Sequence, residues 1–191
     1  MASEAYITGI GQSEVAIRTS RHPLLLTLDA VREALDEAGL TIGQIDGVAT
    51  FPGKSNGNLG FSPVSADDVI EAMGIKSKWH IGGMEQPAQL SSIANAAMAV
   101  RLGLCRHVIC FRTVYEAAAM ARSAEYSRPR SDLLDGFVQW TMPFWAMSAA
   151  CWTAQYAMTH VERYGMTREQ LGQIAINGSK NAMLNPRARA I

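Results

Sequence analysis

Leu90-Ser91-Ser92-Ile93-Ala94-Asn95-Ala96-Ala97-Met98-Ala99-Val100 carries no ionisable side chain. The stretch belongs to a predicted helix over 85–101, rich in alanine and almost uncharged. A helix that is apolar all round is expected to be buried on every side, which places it in the middle of a layered structure. Two short apolar runs flank it. Lys78-Trp79-His80-Ile81, ending at Gly82-Gly83, and His107-Val108-Ile109-Cys110-Phe111 both read as strands. Further out, Gly47-Val48-Ala49-Thr50-Phe51 is a strand closed by Pro52-Gly53. Leu28, Val31, Leu35 and Ala38 recur at helical spacing, with Gly39 as the stop. His22, followed by Pro23, reads as the entry to that helix. Ala5-Tyr6-Ile7-Thr8-Gly9-Ile10-Gly11 reads as an opening strand. A loop over 54–65 leads to a short helix at 67–73, with acidic residues in its first turn where the helix dipole favours them. The order is β-α-β-α-β-α-β. Alternation at this spacing predicts parallel strands joined by right-handed helical crossovers, an α/β fold.

After Phe111 the pattern changes. Residues 112–142 show no clear period and read as an inserted loop region. Helices return over 146–164 and 168–184, the last opened by Thr167 and Gln170 at capping-box spacing. No strand follows them. The expected organisation is a β/α core over 1–111, an inserted region over 112–145, and helices over 146–191.

The 191 residues are 48% hydrophobic but only 18% charged, below the roughly 25% of an average soluble domain. Low charge with ten Met and four Trp implies surface covered by a partner subunit, a missing half of the chain or an apolar ligand. Such a composition excludes intrinsic disorder. Seventeen basic and seventeen acidic residues cancel. With no basic stripe, a nucleic-acid partner is not expected. The apolar runs fall well short of the ~20 residues that span a bilayer, and the N-terminus lacks a signal pattern. Cys105, Cys110 and Cys151 are an odd set, read as reduced thiols of a cytoplasmic protein. No further ligands lie near Cys105 and Cys110, so no metal is expected.

Several motifs, taken in order, resemble the thiolase superfamily. They are Tyr6-Ile7-Thr8-Gly9-Ile10-Gly11-Gln12-Ser13-Glu14, Ala34-Leu35-Asp36-Glu37-Ala38-Gly39-Leu40 with Ile45-Asp46-Gly47, and Gly82-Gly83 with Leu102-Gly103-Leu104. Two later ones are Tyr164-Gly165-Met166-Thr167-Arg168-Glu169-Gln170-Leu171 and Lys180-Asn181-Ala182-Met183-Leu184-Asn185-Pro186. The branch resembled is the lipid-transfer-protein-associated thiolases, which include the steroid side-chain aldolases. The resemblance implies a thiolase-like layered αβαβα fold built from two similar halves, of which this chain supplies the N-terminal one. The second half is absent from this chain, along with the catalytic groups that it carries in the family.

Thiolases attack with a cysteine at the start of the buried helix, where the dipole lowers the thiol's pKa. Here the corresponding stretch is Gly83-Met84-Glu85-Gln86-Pro87, without a cysteine. Gln86, give or take one residue, takes the nucleophile's position, and neither it nor Met84 can form an acyl-enzyme. The departure fits the aldolase side of the branch, which cleaves a β-hydroxyacyl-CoA by retro-aldol chemistry and needs no covalent acyl intermediate. That chemistry requires a base for the β-hydroxyl proton and donors for the developing enolate. The resemblance therefore implies Glu85 and Gln86 as catalytic candidates, with His80 on the neighbouring strand. Met84, Arg112, Tyr115 and Trp145 become candidates for contact with the CoA thioester substrate. No bound cofactor is implied. Implied partners are a second copy, pairing along the strand at 107–111, and a zinc-ribbon/OB-fold subunit. A thiolase-type acyltransferase and a non-catalytic assembly subunit are the alternatives.

Overall fold

The computed structural model of the chain describes residues 4–15, 19–54, 60–83, 89–122, 138–146 and 148–188. These fall in two compact units, Met1–Ser127 and Arg128–Ile191. In the first, α1 (Pro23–Ala38) and a 3-10 turn (Ile42–Gln44) lead into β1 (Gly47–Thr50). Then come α2 (Ala66–Met73), β2 (Trp79–Gly82), α3 (Gln89–Arg101), β3 (Val108–Phe111) and α4 (Glu116–Arg122). The sheet is parallel, in the order β2-β1-β3. Val48 stands beside His80 and Ile109, and Thr50 beside Gly82 and Phe111.

Central position explains why every residue of β1 is buried, as expected for a strand packed on both faces. On one face α1 and α2 cover it. Leu28, Val31 and Leu35 of α1 meet Val48, Val64 and Val69, with Ile109 and Phe111 against them. The Gly39 cap holds the predicted left-handed conformation, and His22 Nδ1 accepts from Leu24 N–H at 3.2 Å. On the other face lies α3, under which Cys110 Sγ reaches Ser92 O at 3.8 Å.

Asp46 joins the starts of the three strands. Its carboxylate accepts from the N–H groups of Arg106 at 2.7 Å and His107 at 2.9 Å. It also pairs with Lys78 Nζ at 3.1 Å. Its carbonyl accepts from Lys78 N–H at 2.8 Å and Trp79 N–H at 3.3 Å.

Several expectations need correction. Residues 5–11 form no strand. They run along α1, where Ile10 N–H donates to Glu37 and Gln12 N–H to Glu33. Gly9 and Gly11 press on the carbonyl oxygens of Ala34 and Ala30, where any Cβ would collide. The amides of Ile10 and Gln12 go to carboxylates of α1 rather than to a neighbouring strand. Nor is α3 buried all round: Leu90, Ile93 and Met98 are 64%, 40% and 53% exposed. The region after Phe111 is not only loop. Its α4 packs Ala118 and Ala119 against Leu26 and Tyr115 of the first unit. The second unit has α5 (Val138–Thr141), a 3-10 turn (Met142–Phe144), α6 (Ala149–Tyr164) and α7 (Arg168–Ala182). The Thr167–Gln170 capping box is present. Neither α6 nor α7 has a buried residue. None of the described helices is long and apolar enough to cross a membrane.

Burial opposes ionisation of Asp46, but the two N–H donors and Lys78 outweigh it and hold the carboxyl below its ordinary 3.8. A lowered folded-state pKa stabilises the fold above the unfolded value, and the contribution is lost as pH falls through the folded one. Asp46→Ala is expected to cost about 2–3 kcal/mol at neutral pH. In urea titrations its gap from the parent should narrow as pH drops below about 3.8. A gap independent of pH would contradict this assignment.

Candidate functional site

The chain leaves β1, passes through α2 on one face to β2, then crosses through α3 on the other face to β3. Strand order therefore reverses at β1. In open parallel sheets ligands bind at such a reversal, outside the carboxyl ends of the strands. Here those ends deliver Phe51–Pro52–Gly53 after β1, Gly82 and Gly83 at β2, and Arg112–Thr113 after β3.

Arg112 is the most engaged of the predicted residues. Its guanidinium lies over the Phe61 ring at 4.5 Å and the Phe51 ring at 5.9 Å. Nη1 donates to Phe51 O at 2.9 Å. Burial pushes its pKa down, and Glu116 opposes that shift. Two buried polar atoms near these strand ends, Arg112 Nε and Thr50 Oγ1, have no hydrogen-bond partner among the described residues.

Tyr115 is buried, and its hydroxyl donates to the carbonyls of Arg21 at 2.7 Å and Thr19 at 3.3 Å. Thr113 Oγ1 meets Thr27 Oγ1 at 2.6 Å. Both ties anchor the entry of α1 to the segment after β3. His80 stands on the α2 face of β2, with Nε2 3.6 Å from Asp67 Oδ1. Trp145 belongs to the second unit, in a left-handed conformation and exposed. Met84, Glu85 and Gln86 lie outside the described residues, as does Pro87.

Cys105 and Cys110 are not activated thiols. Burial raises the pKa of Cys105, and nearby Asp46 adds to the rise. Cys110 is exposed along its edge strand, yet its sulfur is turned under α3, where packing pushes its pKa up to about 11. No group of His, Cys, Asp and Glu among the described residues could hold a metal ion.

Sequence reasoning missed Phe51, Phe61 and Ser62, whose hydroxyl donates to Pro52 O at 2.9 Å. A signal was available: Phe51-Pro52-Gly53 follows directly on the strand that proves central. It was read only as a strand terminator.

The fold and its carboxyl edge define a parallel α/β chain of the kind that binds small ligands beyond its strand ends. Comparison with known proteins narrows this class. Over 96% of its length the chain is 30% identical to a steroid side-chain-cleaving aldolase of Thermomonospora curvata, spanning 46% of that protein. It is 27% identical, over 98% of its length, to a 17-hydroxy-3-oxo-4-pregnene-20-carboxyl-CoA lyase of Mycobacterium tuberculosis, spanning 48% of it. Among solved structures it is similar to the Ltp2-ChsH2(DUF35) aldolase, with a TM-score of 0.76 and 29% identity. That match covers 96% of this chain and 44% of the other. The chain thus spans about half the length of the curated relatives it matches. No protein-family model matches it.

The His80–Asp67 pair is solvated, with side chains 53% and 81% exposed, and such pairs contribute at most about 1 kcal/mol. His80→Ala is expected to shift stability by less than about 1 kcal/mol in chemical denaturation. If His80 serves in proton transfer, the same variant in the complete protein loses ~10²–10⁴-fold in turnover. An unchanged rate leaves only a surface contact with Asp67.

Proposed function

We propose that the chain is part of a thiolase-fold lyase that cleaves the Cα–Cβ bond of a β-hydroxyacyl-CoA, with a steroid side chain as the acyl group. The observation that carries this reading is the extent of the match. Nearly every residue aligns with two proteins named for such cleavage, and the solved structure named as an aldolase shares the fold at 29% identity.

In the proposed reaction a base removes the β-hydroxyl proton, and the hydroxyl oxygen becomes a carbonyl as the Cα–Cβ bond breaks. The electron pair passes to the thioester as an enolate, which takes up a proton at Cα to leave the shortened acyl-CoA. Donors near the thioester oxygen favour this step. The described part of α3 begins at Gln89, directly after the stretch that holds Glu85 and Gln86. Glu85 and Gln86 precede Gln89 by four and three residues in sequence, and the positive end of a helix dipole favours negative charge near it. Glu85 and Gln86 are the proposed site residues of this chain, with Met84 and His80 as further candidates. The remaining catalytic groups belong to the rest of the protein.

Thiolase-type acyl transfer finds no support in the thiols. Cys105 and Cys110 both have raised pKa values, the opposite of what a thiolate nucleophile needs. Assembly is part of the proposal. β3 is an edge strand among the described residues, which supports pairing with a second copy. A zinc-ribbon/OB-fold subunit is the second proposed partner, and the proposed location is the cytoplasm, which the odd number of cysteines supports. The exposed stripe of Leu90, Ile93 and Met98 on α3 supports a further layer of structure over it.

Two experiments on the complete protein test this reading. Alkylation of its thiols is expected to leave cleavage of a β-hydroxyacyl-CoA largely intact. Loss of activity in step with modification of one cysteine would restore the acyltransferase reading. Glu85→Ala is expected to lower turnover ~10²–10⁴-fold while changing stability by only about 0.3–1 kcal/mol. A variant that melts slightly lower yet turns over normally would reduce Glu85 to a helix-end carboxylate.

A further inference from the structure

Residues 51–54 are gripped one after another from different parts of the first unit. Phe51 O accepts from Arg112 Nη1 at 2.9 Å. Pro52 O accepts from the buried Ser62 hydroxyl at 2.9 Å. Gly53 lies so close to β2 that a Cβ on it would stand 3.3 Å from the carbonyl carbon and oxygen of Gly82. A Cβ on Gly82 would in turn meet Gly53 Cα and Thr50 Cγ2 at 3.3 Å. Lys54 Nζ reaches Asp68 at 3.1 Å. Such spacing is tighter than ordinary van der Waals contact, so a Cβ at either position would push the two backbones apart by a few tenths of an ångström.

The grips have one geometric result. The end of β3, through Arg112, holds the turn after β1, and that turn abuts the last residue of β2. Three strand ends are thereby set against one another at the edge where open parallel sheets generally bind ligands. The Phe61 and Phe51 rings keep the guanidinium in place from the side. The Arg112 guanidinium that donates to Phe51 O through Nη1 is planar and lies over two aromatic rings, an arrangement that a flexible ammonium would not reproduce.

We infer that Arg112 is a positioning residue, which acts through the 51–53 turn and the Gly53–Gly82 contact to fix the carboxyl end of β2. The inference rests on the lyase reading for its catalytic consequence, but not for its structural one. A reacting group displaced by about 1 Å loses up to ~10²-fold in rate, whereas a lost substrate contact raises KM.

The test compares Arg112→Gln and Gly53→Ala in the complete protein, with steady-state kinetics on a β-hydroxyacyl-CoA and amide hydrogen exchange. Both variants are expected to lose roughly 10–100-fold in kcat with KM within about twofold. The amides of Gly82 and Gly83 should exchange about tenfold faster while those of α1 stay at the parent rate. Gly53 carries no side chain that could touch substrate, so its variant separates positioning from binding. A raised KM with unchanged kcat in Arg112→Gln would make Arg112 a substrate ligand and overturn the inference. So would parent-rate exchange at Gly82 and Gly83 in both variants. A parent protein that does not cleave the thioester would defeat the lyase reading alone, and the exchange measurement would still decide the inference.

Discussion

Asp46 occupies the point at which three strands could drift apart. In a parallel sheet the strand starts are far apart in sequence, and here 60 and 61 residues separate Asp46 from two of its partners, Arg106 and His107. Its carboxylate takes both N–H groups entering β3, while its carbonyl takes those entering β2. The register of β1 against both neighbours follows from these contacts. Once register is set, Val48 faces α1 and α2, and Ala49 faces α3. A slip of one residue would exchange the two faces of β1. The carboxyl edge, with its turn at 51–54, inherits its alignment from the opposite end of the same strands.

Much of this was legible in the residues, because it depends on period and punctuation. Helical spacing located α1, and β1, β2 and β3 all lie within a residue of their expected bounds. The capping pairs His22–Leu24 and Thr167–Gln170 are local, and a local pattern can be read without the fold. Other features were not legible for definite reasons. Tyr6, Ile7 and Ile10 have the composition of a strand, but a strand exists only where another offers a ladder. Ser65 and Asp68 close a capping box on α2, yet Ser65 stood at the end of a polar stretch and was read as loop. In α4 the Ala117-Ala118-Ala119 run after Glu116 was helical by propensity and was hidden by irregular sequence beyond it. The grip of Arg112 on Phe51 spans 61 residues, which no local period encodes. The residues proposed for the chemistry, Glu85 and Gln86, came from a likeness of position, not from a pattern of their own.

The apolar composition has a visible destination only in part. It fills the interface between the sheet and α1 and α2. Elsewhere it lies open, along Leu90, Ile93 and Met98 of α3 and Ile174 of α7. Helices with no tertiary burial are marginal in water, and α6 and α7 have none. The chain that spans about half of its relatives' length thus carries apolar faces on α3 and α7 that the described residues leave exposed.

The segment that failed to become a strand obeys another rule. Ile10 and Gln12 are two residues apart, a rise of roughly 6.6 Å in extended backbone. Their acceptors, Glu37 and Glu33, are four apart on α1, a rise of about 6.0 Å. The two rulers run in opposite directions and nearly coincide, with a mismatch of roughly 0.6 Å at each step. They act as a vernier, in which neighbouring marks align and more distant ones fall out of phase. An extended strip can therefore lock onto a helix at a single setting with no sheet beside it, provided that it asks for only two marks to match.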